Sequence, residues 1–399
     1  MRKGMPTGGN KVMMYDVVVV GSGPGGCMAA KRLAELGIDV LLIEKRPEIG
    51  VPVRCAEATG IKGLKELGIE LDKRYIASVT RGAYVFSPDG TKIDMTGKEY
   101  TGYILERRIF DKYLAILAAK AGAEVLTRTY AYDLKMKNGC VSGVMLKRFS
   151  EKFEVKCKAV VAADGIESKI GRKAGLNTTT KVGEMTSNVQ FEMAGIDIEP
   201  EVMELYFGNK VAPGGYAWVF PKGEDIANVG LGVRKTEKRA IDYLKEFINS
   251  KEHLKKGKVC GMVVGGVPVQ GPIDKSYGNG IVLVGDSARQ VDPLTGGGIH
   301  NAMKCGIIAA ETLAYAAEKG DFSEEVLSEY ERRWGEEVGK VLQRSLKIKL
   351  VLEKMNDEDM NALAKLLARI KFGSIDLKDI SKSSIKLPPE IIEFVQNLM

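Results

Sequence analysis

The chain has 399 residues, 45% of them hydrophobic, enough for a large packed core and for two domains or one domain with an added lobe. Its 59 Lys and Arg against 52 Asp and Glu leave a formal charge of +7, scattered along the sequence, which argues against a nucleic-acid module and suits an anionic substrate, an anionic membrane surface or simply a solvated surface. No apolar run reaches the roughly eighteen residues of a membrane span, the six cysteines form no C-x-x-C pair, and two histidines leave little material for a metal site or a histidine-centred hydrolase. That cysteine usage fits a reducing, cytoplasmic setting without a structural metal.

Residues 1–13 lack the apolar stretch of a signal peptide and are expected to form a disordered leader outside the fold. From Tyr15 to Gly50 the chain reads as strand, glycine-rich turn, helix and strand. Tyr15 to Val20 is a continuous β-branched run, as in a parallel strand buried on both faces. Gly21 permits a sharp turn, Gly23 lets backbone approach a pyrophosphate, and Gly26 lets helix pack closely on strand. Pro24 opens the helix, whose free N–H groups and positive dipole end would meet the phosphates. Glu44, eighteen residues past Gly26, ends the second strand, where a carboxylate accepts from the hydroxyls of an adenosine ribose. The motif predicts a dinucleotide site without separating FAD from NAD.

The stretch after Glu44 is too rich in Pro and Gly for a regular element, and it brings Arg54, Cys55 and Glu57 together in a loop. Residues 77–104 alternate as short strands around a turn at Ser87-Pro88-Asp89-Gly90; an amphipathic helix through Ile109, Phe110, Tyr113, Leu114 and Leu117 follows, then a strand at 123–127. Strands at 141–146 and 153–163 end in Asp164-Gly165. Residues 185–233 read as strands of antiparallel character, 235–249 as a helix, and 260–269 as a strand. At 280–320 a buried strand, a glycine-rich loop and a long helix return, so that the nucleotide domain encloses a second lobe. The segment after Phe322 reads as mostly helical.

In combination, GSGPGG (21–26), Glu44, VRCAEATG (53–60), LERRIFD with Arg107, Ala163-Asp164-Gly165 and VGDSARQVDPLTGGGI (284–299) resemble the para-hydroxybenzoate hydroxylase class of FAD proteins. With APGGYAWVFPKG (212–223), the Arg54-Cys55 loop is most similar to the geranylgeranyl reductases, above all the archaeal digeranylgeranylglycerophospholipid reductases. The likeness covers roughly Tyr15 to Gly320 and fades in the C-terminal helices.

The resemblance implies an α/β fold with an α+β lobe: a discontinuous, Rossmann-like FAD-binding domain (14–76, 103–180 and 275–325), an antiparallel-sheet substrate lobe (77–102 and 181–274) and a C-terminal helical segment (326–399). It further implies that Gly21, Gly23, Pro24, Gly25 and Gly26 face the pyrophosphate and Glu44 the ribose. Arg54, Cys55, Ala56, Ala58 and Arg107 would lie on the flavin side, Ala131 near the adenine and Asp286 by the ribityl-pyrophosphate region. Gly297, Gly298 and Ile299 would present N–H groups to the N1/O2 edge, where a helix N-terminus stabilises the anionic reduced ring. Lys45, Asp164 and Gly165 complete the implied FAD set. The loop reads Cys-Ala-Glu-Ala where relatives have Cys-Gly-Glu-Gly, which disfavours positive φ at Ala56 and Ala58.

The activity so implied is FAD-dependent saturation of C=C bonds in the geranylgeranyl chains of an archaeal-type glycerophospholipid, by hydride from flavin N5 and a proton. Two alternatives stand beside it, an FAD monooxygenase of the same class and a non-catalytic prenyl-binding escort protein. After residue 60 no second G-x-G-x-x-G with a following acid occurs, so electrons would come from a transient donor: ferredoxin, reduced deazaflavin or NAD(P)H. Tyr216, Trp218 and Phe220 alternate on a strand, either as a core stripe or as the wall of an isoprenoid channel whose aromatic faces stabilise positive charge. Cys55 is either a small buried residue or a proton donor or relay, its pKa lowered by Arg46 and Arg54. Arg344, Lys347 and Lys349 either solvate a helix or meet a lipid phosphate or the inner face of the cell membrane, where the protein would lie peripherally.

Overall fold

The computed structural model describes residues 13–181 and 183–368. Of the expected leader, residues 1–12 lie outside the described residues, and Met13 does not belong to it: it lies in the strand Met13–Met14 and pairs with Val155.

The apolar run at 17–20 becomes the central strand of a six-stranded sheet. Its order is Tyr277–Gly278, Ile281–Leu283, Ala159–Ala162, Val17–Val20, Val40–Ile43, Glu124–Leu126, parallel throughout except for the Tyr277–Gly278 edge. Three segments distant in sequence thus meet in one sheet, because each is a short β-branched or aliphatic run that must be covered on both faces. The Pro24–Glu35, Arg107–Ala121 and Ile299–Lys319 helices cover one face, burying Leu33, Phe110, Leu114, Met303 and Leu313 in one core. On the other face lies a four-stranded sheet (Met13–Met14, Glu151–Lys156, Cys140–Arg148, Thr129–Lys137) that packs Leu134, Val144 and Leu146 against Leu41 and Ile43.

The second lobe is a seven-stranded sheet: Lys258–Pro268, Met185–Ala194, Ile226–Val233, Tyr216–Pro221, Met203–Tyr206, Ala83–Phe86, Lys92–Asp94. Its pairs are antiparallel except Met203–Tyr206 with Ala83–Phe86, which run parallel, a departure from the all-antiparallel expectation. The Ala240–Asn249 helix covers it, starting five residues later than the sequence suggested: Lys235 is in left-handed backbone at φ 53, and the helix takes up only after Arg239.

A small three-stranded sheet (Ala58–Gly60, Gly102–Leu105, Ile76–Thr80) joins the two lobes. It draws a strand out of what reads as an irregular loop, since Ala58 to Gly60 gain hydrogen-bond partners only when Gly102–Leu105 comes alongside. The Glu324–Trp334, Lys340–Leu352 and Asp357–Ala368 helices complete the described chain. None of its described helices is long and apolar enough to cross a membrane.

Candidate functional site

A cavity of about 1430 Å³ runs between the two lobes. It is larger than the roughly 300–1,000 Å³ typical of a drug-sized ligand. At one end stands the glycine turn. Gly21, at φ 102, donates its N–H to Ile43 O (2.9 Å) and turns the chain off the strand. A Cβ on Gly26 would lie 1.9 Å from Gly21 O, so glycine is required there for the helix to seat; a Cβ on Gly23 would meet nothing within 4 Å. Open space at Gly23, in ordinary extended backbone (φ −69, ψ 177), is a cradle for a ligand and not a packing requirement.

Glu44 projects onto the same cavity. Its Oε2 accepts from the Ser22 N–H (3.2 Å) and hydroxyl (2.9 Å), and its Oε1 from the Arg46 N–H (2.9 Å), which fixes the carboxylate and still leaves an acceptor position. Asp164 and Asp286 line the wall, and burial pushes both carboxyls above the usual range, with the Arg107 cation opposing this at Asp286. Asp164 Oδ1 is buried without a hydrogen-bond partner among the described residues, an orphan that a ligand hydroxyl or N–H would satisfy. Gly297, Gly298 and Ile299 reach the cavity where the Ile299–Lys319 helix begins; the Gly297 N–H already donates to Thr295 Oγ1 (3.2 Å), and the first N–H groups of the helix itself have no intrahelical partner. These features fit FAD: a phosphate cradle, a ribose carboxylate, an unsatisfied buried carboxylate oxygen and a helix N-terminus.

Pro24, Gly25, Lys45, Arg54, Cys55, Ala56, Ala58, Arg107 and Gly165 also line the cavity. Ala131 does not; it pairs with Leu146, and both are buried in the core beneath the four-stranded sheet. Ala56 and Ala58 need no positive φ, because the left-handed residue of the loop is Glu57 (φ 75). Their methyl groups instead pack with Trp218 and Phe220.

The cation beside the Cys55 thiol is Arg107, not Arg46 or Arg54. Burial pushes the thiol above its ordinary value, and Arg107 and the Glu57 N–H, which donates to Cys55 Sγ (3.2 Å), only partly offset this. At rest the group is therefore a protonated thiol, contrary to the expectation of a lowered pKa. Arg107 is held by two bonds of 2.7 Å to Asp111; burial works against its charge, and this carboxylate outweighs burial and keeps the guanidinium charged.

Tyr216, Trp218 and Phe220 share one face of their strand and line the cavity, with ring centroids 5.9 and 6.2 Å apart in succession. Trp218 Nε1 donates to Gln190 Oε1 (2.9 Å), and Gln190 Nε2 donates to Cys55 O (3.3 Å), so the aromatic wall and the thiol loop share one bridge. The C-terminal helices and the link between them contribute Leu352, Met355, Met360, Leu363 and Leu367, apolar lining that the sequence reading left as unassigned helix.

Lys347 is exposed and does not reach the cavity, whereas Lys349, two residues on, is buried in its wall. Lys349 Nζ meets Glu184 (2.8 Å), Glu353 (3.1 Å) and Val269 O (2.6 Å). Arg234 binds the same two carboxylates, Glu184 at 3.2 Å and Glu353, and donates to Gly214 O. Lys349 and Arg234 face these two carboxylates, and the more exposed Lys235 stands 3.9 Å from Glu184, so the knot ties the Lys340–Leu352 helix to the lobe.

Residues 184–267 match the family described as geranylgeranyl reductase catalytic domain, and residues 15–196 match pyridine nucleotide-disulphide oxidoreductase. The chain is 47% identical over 390 residues to the digeranylgeranylglycerophospholipid reductase of Methanocaldococcus jannaschii, covering 97% of this chain and 98% of that protein. It is 46% identical to that of Methanosarcina acetivorans, with 95% of each covered. Among solved structures, a geranylgeranyl bacteriochlorophyll reductase-like protein from Thermoplasma acidophilum superposes with a TM-score of 0.89 at 37% identity, covering 98% of this chain and 100% of that one. A flavin-dependent brominase shares the fold at a TM-score of 0.72 and 19% identity over 96% of this chain and 98% of that one.

Proposed function

The chain belongs to the digeranylgeranylglycerophospholipid reductase family of FAD proteins, and on that premise we propose that it saturates the C=C bonds of geranylgeranyl chains on an archaeal glycerophospholipid. The observation that carries the reading is the cavity itself, which continues past the FAD-fitting end into an apolar passage between the Tyr216–Pro221 strand and the C-terminal helices. An isoprenoid chain needs such a passage.

Bound FAD, once reduced, supplies a hydride. A trisubstituted alkene is unpolarised and also needs a proton. The Cys55 thiol carries one at neutral pH because burial raises its pKa, and it passes this proton to the less substituted alkene carbon. The thiolate left behind faces the fixed Arg107 guanidinium, which stabilises it until solvent returns the proton. Trp218 and its neighbours face the tertiary carbon as it gains positive character, and their burial excludes water. The electrons reach FAD from a transient donor, ferredoxin, reduced deazaflavin or NAD(P)H. The isoprenoid glycerophospholipid substrate is a membrane lipid, so the protein works as a cytoplasmic, peripheral enzyme at the inner face of the cell membrane; six free cysteines suit that reducing compartment.

The purified protein is expected to show a flavin spectrum, and after reduction by dithionite without air it should be re-oxidised by geranylgeranyl glycerophospholipid. No electron transfer to the lipid, with hydroxylating turnover in air, would overturn the reading. Glu44→Ala is expected to lose FAD on dilution, since each charge-assisted bond to a ribose hydroxyl contributes about 1.5–3 kcal/mol. The flavin-to-protein ratio after gel filtration measures this, and a wild-type ratio would place the ribose elsewhere.

A further inference from the structure

The loop carrying Cys55 is held from three sides, and one residue takes part in every side. Glu57 is 3% exposed, and it adopts left-handed backbone (φ 75), a conformation costly for any residue with a side chain and natural to glycine. Its carboxylate explains the choice. Oε1 accepts the Arg107 backbone N–H at 2.7 Å, satisfying a free donor at the first turn of the Arg107–Ala121 helix. Oε2 accepts from Asn228 Nδ2 (2.9 Å) and Lys222 Nζ (3.1 Å), both from the substrate lobe.

The backbone around Glu57 is gripped as well. Glu57 O accepts from the Leu105 N–H (2.9 Å), Ala56 O from Asn228 Nδ2 (3.3 Å), and the Glu57 N–H donates to Cys55 Sγ. Lys222 is itself buried, and its ammonium also meets Glu106 (2.6 Å) and Glu192 (3.0 Å), which lie nearer solvent. Surrounded by three carboxylates, Lys222 stays charged, so it is an anchor and not a proton carrier.

We propose that Glu57 is the positioning residue of the site: its carboxylate docks the Cys55 loop of the cofactor-binding domain onto Lys222 and Asn228 of the substrate lobe, and fixes the Arg107 backbone, so that thiol and guanidinium meet. The inference deepens the reading of Cys55 as proton donor and rests on it. An alternative role, a negative charge acting directly on the thiol through space, has the opposite signature.

The test is the pH profile of Cys55 alkylation by iodoacetamide in FAD-loaded protein, with the Cys55 peptide followed by mass spectrometry. The charged or titratable groups facing this thiol are Arg107, Glu57 and Tyr216. In Glu57→Gln a loosened loop separates the thiol from Arg107 and from the Glu57 N–H, so the alkylation midpoint rises by about half a unit or more, roughly a threefold loss of thiolate at fixed pH. If Glu57 acted through its charge alone, the midpoint would fall; if it only stabilised the fold, the midpoint would not move below the melting transition. Either result overturns the proposal.

Glu57→Gln takes from Lys222 the most buried of its three carboxylates and leaves only Glu106 and Glu192, nearer solvent, so the double variant Glu57→Gln, Lys222→Met removes a less well compensated cation. It should recover thermal stability relative to Glu57→Gln while keeping the raised midpoint, and it carries the test should the single variant not fold. Return of the wild-type midpoint in the double variant would count against positioning. Lipid takes no part in the alkylation assay, so failure here is distinguishable from failure of the reductase reading.

Discussion

Cys55→Ser is expected to slow lipid-driven re-oxidation of the dithionite-reduced enzyme at least tenfold, about 1.4 kcal/mol of barrier, while FAD content and chemical reduction stay near wild type. Serine matches the size of cysteine and keeps a proton, but its hydroxyl is far too weak an acid to give it up. General acid catalysis contributes roughly 10²–10⁴-fold where the donor is well matched. The thiol suits that task because burial keeps it protonated at neutral pH and the adjacent Arg107 lowers the cost of the thiolate. The chemical reduction step does not use this proton and serves as the internal control. Re-oxidation by lipid at the wild-type rate in Cys55→Ser would remove the thiol from the mechanism and leave the aromatic wall without a proton partner.

The second large effect is expected at Gly26, and its contrast with Gly23 separates fold from ligand. A Cβ on Gly26 would stand 1.9 Å from a backbone oxygen and 3.2 Å from Ala163 Cβ, with no flexible side chain to yield. Overpacking typically costs about 1–3 kcal/mol; a clash between backbones should exceed that, a large part of the roughly 5–15 kcal/mol that holds a domain together. Gly26→Ala is therefore expected to lower the melting temperature sharply, with FAD lost as a consequence. Gly23→Ala meets open space, so it should leave the melting temperature of the FAD-free protein unchanged and weaken FAD binding. Thermal melts with and without added FAD decide both. A Gly26→Ala protein melting like wild type, or a Gly23→Ala protein binding FAD as wild type, would show that the turn does not work as described.

What could be read locally and what could not divide along a physical line. Val17 to Val20, Gly21, Gly23, Gly26 and Glu44 are legible because a buried parallel strand, a tight turn and a helix start each impose their own residue types within a few positions, whatever the rest of the chain does. The return of a strand, loop and helix at 280–320 is legible for the same reason, and the family resemblance added the cofactor and the chemistry. The partners of Cys55 were not legible that way. Arg54 is its neighbour in the chain, but the cation that reaches the thiol is Arg107, brought there when Ala58–Gly60 pairs with Gly102–Leu105. Whether burial or that cation prevails in the thiol's acidity depends on how many atoms surround it, which no local pattern encodes.

Lys347 and Lys349 make the same point on a helix. Two residues apart, they point about 200° away from one another, so composition marks both as candidates while only docking against Glu184 decides that Lys349 faces inward. Ala131 sits on a strand whose register shifts between Ala131 and Asp133, which fixes the side it buries. Glu57 is the strongest case. The sequence only groups it with Arg54 and Cys55 in one loop, yet Lys222 and Asn228, 165 and 171 residues away, make it a buried, fully bonded joint. Its meaning lies in pairings between lobes, and those exist only once the chain has closed on itself.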